Sequence, residues 1–377
     1  MKPEDFKLER YFARYEFTTR FLLCSSDAES MPIRDLLAYE AGAADALERV
    51  WLGYTDSRGS PDLIEAIASL YERVGTGGIL VHAGAQEAIF AFVNCVLDAG
   101  DHAVVQFPAY QSHYSIARAI GAEVSQWGVD FTAGGAPDPQ ELESLIRPAT
   151  RAVIVTTPNN PTGYVFDRPR LDRVIEIARK HGLLLFSDEV YRGSERDPSH
   201  RHPAVCDLYE RGVSLGGLAK AHGLAGLRIA WVATGDAALL RRLAAFKDYL
   251  TICNSAPSEF LASLALRHGE KLIDRTRQIT TRNLDLLDAY FASTVELWQW
   301  QRPRAGTTAF PRYLRGDTDE LCARLVENAG ILLLPSSVFN AGNDRVRIGY
   351  GRKNLPDALT AFDTFMDVGS GRPRQLR

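Results

Sequence analysis

Short apolar segments alternate with amphipathic ones between about residue 60 and residue 235, and this alternation restricts the possible folds most. Strands that are apolar along nearly their whole length are typical of a parallel sheet covered by helices on both faces. The segments are Ile79–Val81, Ala103–Phe107, Ala152–Thr156, Leu183–Phe186, Val213–Leu215 and Ile229–Ala233. The pattern therefore predicts an α/β fold with a mostly parallel sheet.

With 377 residues, the chain is longer than the domains that are usually built around a single hydrophobic core. After residue 256 the pattern becomes mainly helical, and it returns to strand-like runs at Ile331–Leu334 and Val346–Ile348. We therefore predict a large αβα domain of residues 46–270. A smaller α+β domain is expected from residues 1–45 together with residues 271–377.

Composition and charge exclude several classes of protein. A net charge of −4 gives no reason to expect nucleic acid or an anionic membrane as a partner. No apolar run reaches the ~20 residues that cross a bilayer, and the first residues lack the apolar region of a signal peptide. The five cysteines are scattered without a Cys-x-x-Cys pair, so we expect no disulfide framework and no metal site. These features predict a cytoplasmic protein.

Lys220 lies among small and apolar residues between the last two predicted strands, and Arg228 follows eight positions later. A lysine in such surroundings can lose its hydration, which favours the neutral, nucleophilic amine. Arginine can hold a phosphate through two parallel hydrogen bonds. Together they suggest an amine that bonds to a phosphorylated aldehyde, which in biology is usually pyridoxal phosphate. Taken alone, the pair fits a solvated lysine and a surface arginine better.

Four further groups follow predicted strands, at the sheet edge where ligands bind in open parallel sheets. Gly84 and Ala85, with Gln86 beside them, open a helix, and small residues there let backbone N–H groups bind an anion. The ring of Tyr110 could stack on a flat heteroaromatic cofactor. The ordinary alternatives are a strand-to-helix turn and a tyrosine packed between layers.

The other two groups carry an amide and a carboxylate. Asn160 lies in a loop of residues 157–163, whose two prolines leave the amide little freedom. Asp188 ends a predicted strand, where a buried carboxylate needs a partner such as a protonated pyridine nitrogen. A tight turn and a helix N-cap are the ordinary alternatives. The shared position of all four groups at strand ends favours a ligand site.

In order and spacing, the motifs from about Tyr54 to Tyr350 resemble those of class I/II aminotransferases, which are fold-type I pyridoxal-phosphate enzymes. The resemblance implies pyridoxal 5'-phosphate as cofactor, a homodimer with shared active sites, and an amino acid and a 2-oxo acid as substrates. It implies three catalytic residues, namely Lys220, which forms the internal aldimine, Asp188 and Tyr191. It also assigns the cofactor contacts: Asp188 at the ring nitrogen, Asn160 and Tyr191 at the phenolic oxygen, Tyr110 on the ring, and Gly84, Ala85, Gln86 and Arg228 at the phosphate.

The same resemblance points to residues that bind substrate and link subunits. Arg347 matches the arginine that holds the substrate α-carboxylate, with Arg345 as the less well aligned alternative, and Asn160 is expected beside it. Tyr54 matches a tyrosine that reaches the phosphate of the neighbouring subunit. Such a tyrosine would make the enzyme a two-fold dimer.

The chain departs from the family at the phosphate and at the substrate. Gly217 and Ala219 stand where the family usually has the two serines of Ser-x-Ser-Lys, and Ser214 and Thr251 are possible substitutes. Residues 23–30 replace a Gly-x-Pro that often lies near the substrate, which leaves substrate choice open.

One branch of the family is especially similar. Residues 8–12, 223–228, 247–251 and 307–312 resemble capreomycidine synthases, which cyclise a hydroxylated arginine. Asp27 and Glu29 are acidic residues that could meet a guanidinium, although acids near an N-terminus are more often solvated. The intact Asp188-x-x-Tyr191 element looks more like that of an ordinary aminotransferase, so we expect an aminotransferase. The alternative is a cyclase or lyase acting at Cβ or Cγ of an arginine-derived amino acid.

Overall fold

The structure is a computed structural model that describes residues 2–131 and 135–370. Its helices are α1 (Lys7–Tyr15), α2 (Ile33–Leu37), α3 (Ala43–Glu48), α4 (Pro61–Ala68), α5 (Ala85–Val96), α6 (Ser112–Ile120), α7 (Pro139–Leu145), α8 (Arg168–Lys180), α9 (Val205–Leu208), α10 (Ala237–Lys247), α11 (Ala256–Arg267), α12 (Gly269–Ser293), α13 (Thr318–Ala329) and α14 (Leu355–Ser370). Its strands are β1 (Phe21–Leu22), β2 (Ile79–His82), β3 (His102–Gln106), β4 (Glu123–Trp127), β5 (Thr150–Thr156), β6 (Leu184–Asp188), β7 (Gly212–Gly217), β8 (Ala230–Thr234), β9 (Trp298–Gln299), β10 (Thr308–Ala309), β11 (Arg312–Tyr313), β12 (Ile331–Leu332), β13 (Leu334–Pro335) and β14 (Val346–Gly349).

A seven-stranded sheet in the order β2-β8-β7-β6-β5-β3-β4 forms the centre of the fold. All its neighbouring strands are parallel except for β8, which is antiparallel to both β2 and β7. The strand β8 reverses because residues 218–229, which connect it to β7, contain one short 3₁₀ turn and no α-helix to cross over the sheet. The predicted α/β fold with a mostly parallel sheet is confirmed.

Helices cover both faces of this sheet, and successive residues of each strand face opposite layers. Ala103, Val105 and Ile154 pack with residues of α5. Val104 and Val153 pack on the other side, with residues of α8. This two-sided burial explains the nearly continuous apolar segments, and all six predicted strands are present. The edge strand β4 was not predicted, because its exposed and buried residues are mixed.

The C-terminal strands form smaller sheets beside the large one. The strand β14 lies between β10 and β13 and is antiparallel to both, and β1 from the N-terminal segment pairs in parallel with β12. Phe21 and Leu23 share one core with Leu284, Phe291 and other residues of the C-terminal region. The N-terminal segment is thus tied to the C-terminal elements. The domain boundaries at residues 45/46 and 270/271 stay a prediction.

Candidate active site

A cavity of about 320 Å³ lies at the carboxyl ends of the large sheet, beside β14 and α1. Of the eleven site residues predicted from the sequence, ten line it and Tyr54 does not. The ten are Gly84, Ala85, Gln86, Tyr110, Asn160, Asp188, Tyr191, Lys220, Arg228 and Arg347. The strand-end motifs therefore meet at one place, as parallel strands require.

Lys220 presents its amine to this cavity from the connection between β7 and β8. Its Nζ donates a hydrogen bond of 2.8 Å to Ser26 Oγ. Burial is the main reason why the pKa of Lys220 falls to about 8; the charge of Asp27 opposes this shift, and the charge of Arg347 adds to it. A neutral amine is therefore much more accessible here than on an ordinary lysine, which suits a nucleophile or a base.

Asp188 ends β6 and forms the acidic part of the cavity. Its Oδ2 lies 3.2 Å from Nε2 of His113 on α6, and both side chains are buried. Its Oδ1 accepts a hydrogen bond from the backbone N–H of Val190 at 3.3 Å. A carboxylate fixed in this way can bind a cationic nitrogen of a ligand. His113 was not predicted, and its place three residues after Tyr110 was the only signal.

Gly84 and Arg228 form a site for an anion at the N-terminus of α5. Gly84 has φ +100°, and a Cβ at this position would lie 2.3 Å from Nη2 of Arg228. Glycine therefore allows the guanidinium to approach the first N–H groups of the helix, which favour anions. Gln86, in the first turn, accepts a 2.6 Å hydrogen bond from Ser112.

Ser214 and Thr251, the possible substitutes for the absent serines of the phosphate motif, lie outside the cavity. Gly217 and Ala219 both line the cavity. Ser214 is buried in β7 and donates to Glu189 at 2.9 Å, and Thr251 donates to Glu87 at 2.6 Å. Neither hydroxyl lines the cavity, so the geometry does not favour Ser214 or Thr251 as the substitute donor.

Tyr191 faces Lys220 from the segment after β6, and its ring centroid lies 5.9 Å from the lysine Nζ. Its hydroxyl donates to the backbone carbonyl of Ser26 at 2.9 Å. Burial raises the pKa of Tyr191 to about 12, so the phenol keeps its proton at neutral pH and remains a donor. Thr307 Oγ1 donates to the same carbonyl at 2.7 Å, which fixes this part of the N-terminal segment.

Arg347 reaches the cavity from β14 with its side chain almost fully buried. Its Nε donates to the carbonyl of Cys24 at 3.0 Å, and its Nη1 donates to Oδ1 of Asn160 at 3.2 Å. Its Nη2 is buried and has no hydrogen-bond partner among the described residues. Arg345, by contrast, lies over the ring of Phe131 outside this cavity. The geometry thus favours Arg347 as the arginine that meets a ligand.

Two further residues named from the sequence lie elsewhere. The side chain of Tyr54 is 86% exposed on the surface of this chain. Glu29 accepts a 3.0 Å hydrogen bond from the backbone N–H of Lys353 and does not line the cavity, which agrees with the ordinary alternative of an acid outside the site. Asp27 does line the cavity and pairs with Arg352 at 2.8 Å.

The comparison with known protein families identifies the class of enzyme. The family model described as aminotransferase class I and II matches residues 22–362. The chain belongs to this family. It is 31% identical to a capreomycidine synthase of Streptomyces vinaceus, over 95% of this chain and 92% of that relative. It is 30% identical to an arginine–pyruvate transaminase of Pseudomonas aeruginosa, over 81% and 80%.

Solved structures agree with membership of the class I/II aminotransferase family. A PLP-dependent aminotransferase from Streptococcus suis superposes with a TM-score of 0.92 at 29% identity, over 98% of this chain and 99% of that one. A PLP-dependent cyclase superposes with a TM-score of 0.88 at 28% identity, over 98% of both. The fold is therefore fold-type I, and the cofactor is pyridoxal phosphate. No helix in the described ranges is long and apolar enough to span a membrane.

The cavity itself fits this cofactor. It offers an anion site at Gly84 and Arg228, a buried carboxylate at Asp188 and, on Lys220, an amine of lowered pKa. The phosphate, ring nitrogen and aldehyde of pyridoxal phosphate need these three kinds of group.

Proposed function

We propose that the protein is an aminotransferase that exchanges an amino group between an L-amino acid and a 2-oxo acid, with Lys220 as the reacting amine. One observation carries the proposal: the buried Nη2 of Arg347, which has no hydrogen-bond partner within residues 2–131 and 135–370, shares a cavity with that amine. A buried guanidinium with a free donor is suited to a carboxylate, which it can bind through two parallel hydrogen bonds. The α-carboxylate of an amino acid supplies such a partner.

The residues that would hold the cofactor follow from the cavity. Gly84, Ala85, Gln86 and Arg228 would bind the phosphate, and Tyr110 would cover the ring. Asp188, held by His113, would bind the ring nitrogen. The side-chain amide of Asn160 would donate to the phenolic oxygen, and so would Tyr191 once its hydroxyl turns from the carbonyl of Ser26. When bound, pyridoxal phosphate supplies an aldehyde that bonds to amines and a ring that withdraws electrons from the substrate Cα.

The chain's own groups then orient the substrate and move a proton. Arg347 holds the α-carboxylate, which directs the bond from Cα to hydrogen toward Lys220. The neutral Nζ of Lys220 removes that proton, because its lowered pKa makes the free amine available near neutral pH. Ser26, 2.8 Å from this nitrogen, helps to fix its position.

A cyclase or lyase reaction is the second candidate. Two comparisons favour it: the 31% identity to a capreomycidine synthase and the superposition on a PLP-dependent cyclase. Such a reaction would begin with the same removal of the Cα proton by Lys220. It would differ afterwards, because a leaving group on Cβ or Cγ would depart and the amino group would stay on the product.

One incubation separates the two reactions. Purified, cofactor-loaded protein is mixed with a panel of L-amino acids, and absorbance and mass spectrometry follow the cofactor and the products. Transamination predicts pyridoxamine phosphate and a 2-oxo acid, and a Lys220→Ala variant should give neither. A hydroxyarginine that loses water and retains its amino group would instead support the cyclase. Absence of any half-reaction across the panel would refute the aminotransferase proposal.

We further propose a two-fold dimer in which Tyr54 reaches the partner's cavity. Large hydrophobic side chains that are each at least 80% exposed on this chain are those of Trp51, Leu52, Tyr54 and Tyr249. A second copy of the chain would cover them. Light scattering should give twice the chain mass of 41.7 kDa, and a Tyr54→Phe variant should remain dimeric but bind the cofactor less tightly. A monomeric active enzyme would refute this assembly.

A further inference from the structure

The helix α1 carries acidic side chains into the cavity. Glu9, Phe12 and Glu16 all line it, and their spacings of three and four residues place them on one face of the helical segment. Asp27, from the segment after β1, lines the same cavity. We call these three carboxylates, Glu9, Glu16 and Asp27, the acidic cluster.

One of the three carboxylates of the acidic cluster has an ion-pair partner among the described residues, and the other two do not. Asp27 has a cationic partner, Arg352, which contacts it at 2.8 and 3.2 Å. Glu9 accepts a 3.2 Å hydrogen bond from the hydroxyl of Tyr110, which is neutral. In the described part of the chain, no ion pair includes Glu9 or Glu16.

The carboxylates also lie close enough to repel one another. The pKa of Glu16 is raised by its partial burial and by the negative charges of Glu9 and Asp27, while Arg352 opposes the shift. Like charges held together in a partly enclosed space are unfavourable unless a cation joins them. A bound cation would therefore stabilise this end of the cavity.

Arg347 supplies an independent reason to expect a ligand here. Its side chain is 1% exposed, its Nη2 has no partner among the described residues, and it lines the same cavity. Its guanidinium carbon lies 6.0 Å from the centroid of Phe12, on the same face of α1 as Glu9 and Glu16. The cavity thus offers a cationic group for one end of a ligand and negative charge near it.

We propose that the substrate is an amino acid with a cationic side chain, which Glu9 and Glu16 bind while Arg347 holds the α-carboxylate. The inference rests on the proposed function for the reaction that follows binding. A guanidinium suits the acidic cluster best, because its planar fork of five donors can serve more than one carboxylate. The ring of Phe12 can pack against the side chain and its cation.

The test compares two ligands of nearly equal shape. L-Citrulline replaces the guanidinium of L-arginine by a neutral urea group, so a difference between them reports charge. Calorimetry and the cofactor absorbance of the loaded protein would give the dissociation constants. We expect L-arginine to bind roughly 10- to 100-fold more tightly than L-citrulline, the range for a hydrogen bond to a charged group.

Variants show whether the acidic cluster causes this preference. Glu9→Gln combined with Glu16→Gln should remove most of it, while the cofactor absorbance stays as in the unchanged protein. Glu65→Gln is the matched control, because Glu65 is exposed on α4, outside the cavity, and its replacement also removes one charge. This control should keep the full preference for L-arginine.

The outcomes separate this inference from the proposed function. Equal binding of the two ligands, or a preference that survives in the double variant, overturns the inference even if other amino acids are transaminated. Selective binding of L-arginine, with no pyridoxamine phosphate formed from it or from any other amino acid of the panel, supports the inference and contradicts the aminotransferase proposal. A half-reaction with L-arginine that depends on Glu9 and Glu16 supports both.

Discussion

Replacing Gly84 by alanine tests the anion site through two quantities, the free energy of unfolding and the affinity for the cofactor. Gly84 has φ +100° and ψ 162°, a backbone region that is almost restricted to glycine. Strain of this kind costs about 1–3 kcal/mol, so the cofactor-free protein should lose that much free energy of unfolding. The new Cβ would also lie 2.3 Å from Nη2 of Arg228, which must therefore move away.

The displacement of Arg228 should weaken the binding of the cofactor phosphate. A hydrogen bond to a charged group contributes about 1.5–3 kcal/mol, and the lower end applies because Arg228 is solvent-exposed. We therefore expect roughly tenfold weaker binding of pyridoxal phosphate. Titration of the cofactor-free protein, followed by absorbance, measures this change, and urea unfolding measures the strain.

Gly100→Ala is the control for strain alone. Gly100 has φ +88°, and an added Cβ would meet no atom within 4 Å. This variant should lose stability and keep its affinity for the cofactor. If Gly84→Ala binds pyridoxal phosphate as tightly as Gly100→Ala does, Gly84 and Arg228 do not form the phosphate site.

Three further predictions concern substrate, cofactor and pH. Arg347→Ala should raise the KM for the amino acid about 10- to 100-fold through loss of a charge-assisted bond, whereas Arg345→Ala, outside the cavity, should leave KM unchanged in the same steady-state assay. Asp188→Asn should lower kcat by about 100-fold or more, as loss of one preorganised charge does in other enzymes, and retained activity in single-turnover kinetics would contradict its role. Since the pKa of Lys220 falls from 10.5 to about 8, the rate at which cofactor-free protein captures the aldehyde should rise with pH and level off above about pH 8. Between pH 8 and 10.5 the lysine is protonated in the unfolded chain and neutral in the folded one, so the free energy of unfolding should rise with pH across that window. The rise should be smaller in the Lys220→Met variant, which lacks the titrating amine.

The sequence predicted the strands well because most of them are buried on both faces. A strand such as β5 is apolar along nearly its whole length, and this pattern is visible without any tertiary information. The edge strand β4 includes exposed Glu123 and Gln126, so its pattern resembles that of a loop. The reversed direction of β8 was not predicted either, because an apolar segment does not indicate which way a strand runs.

The site was predicted where its residues lie next to strand ends, and missed where they come from distant segments. Asp188 and Asn160 belong to local motifs at the ends of strands, where a parallel sheet places its ligand site. Ser26 contacts Lys220 across 194 positions of sequence, and no local pattern reports such a contact. Glu9 and Glu16 were missed as well, because in the sequence they look like ordinary charged residues of an amphipathic helix.

The reversal of the chain between β7 and β8 has a mechanical consequence. Gly217 pairs with Ala230, so the two ends of the connection are clamped side by side. The amine of Lys220 and the guanidinium of Arg228 both project from this short clamped loop. The positions of these two groups, which we propose bind the aldehyde and the phosphate of the cofactor, are consequently set within a single hairpin-like unit and do not depend on how the small C-terminal sheets are placed.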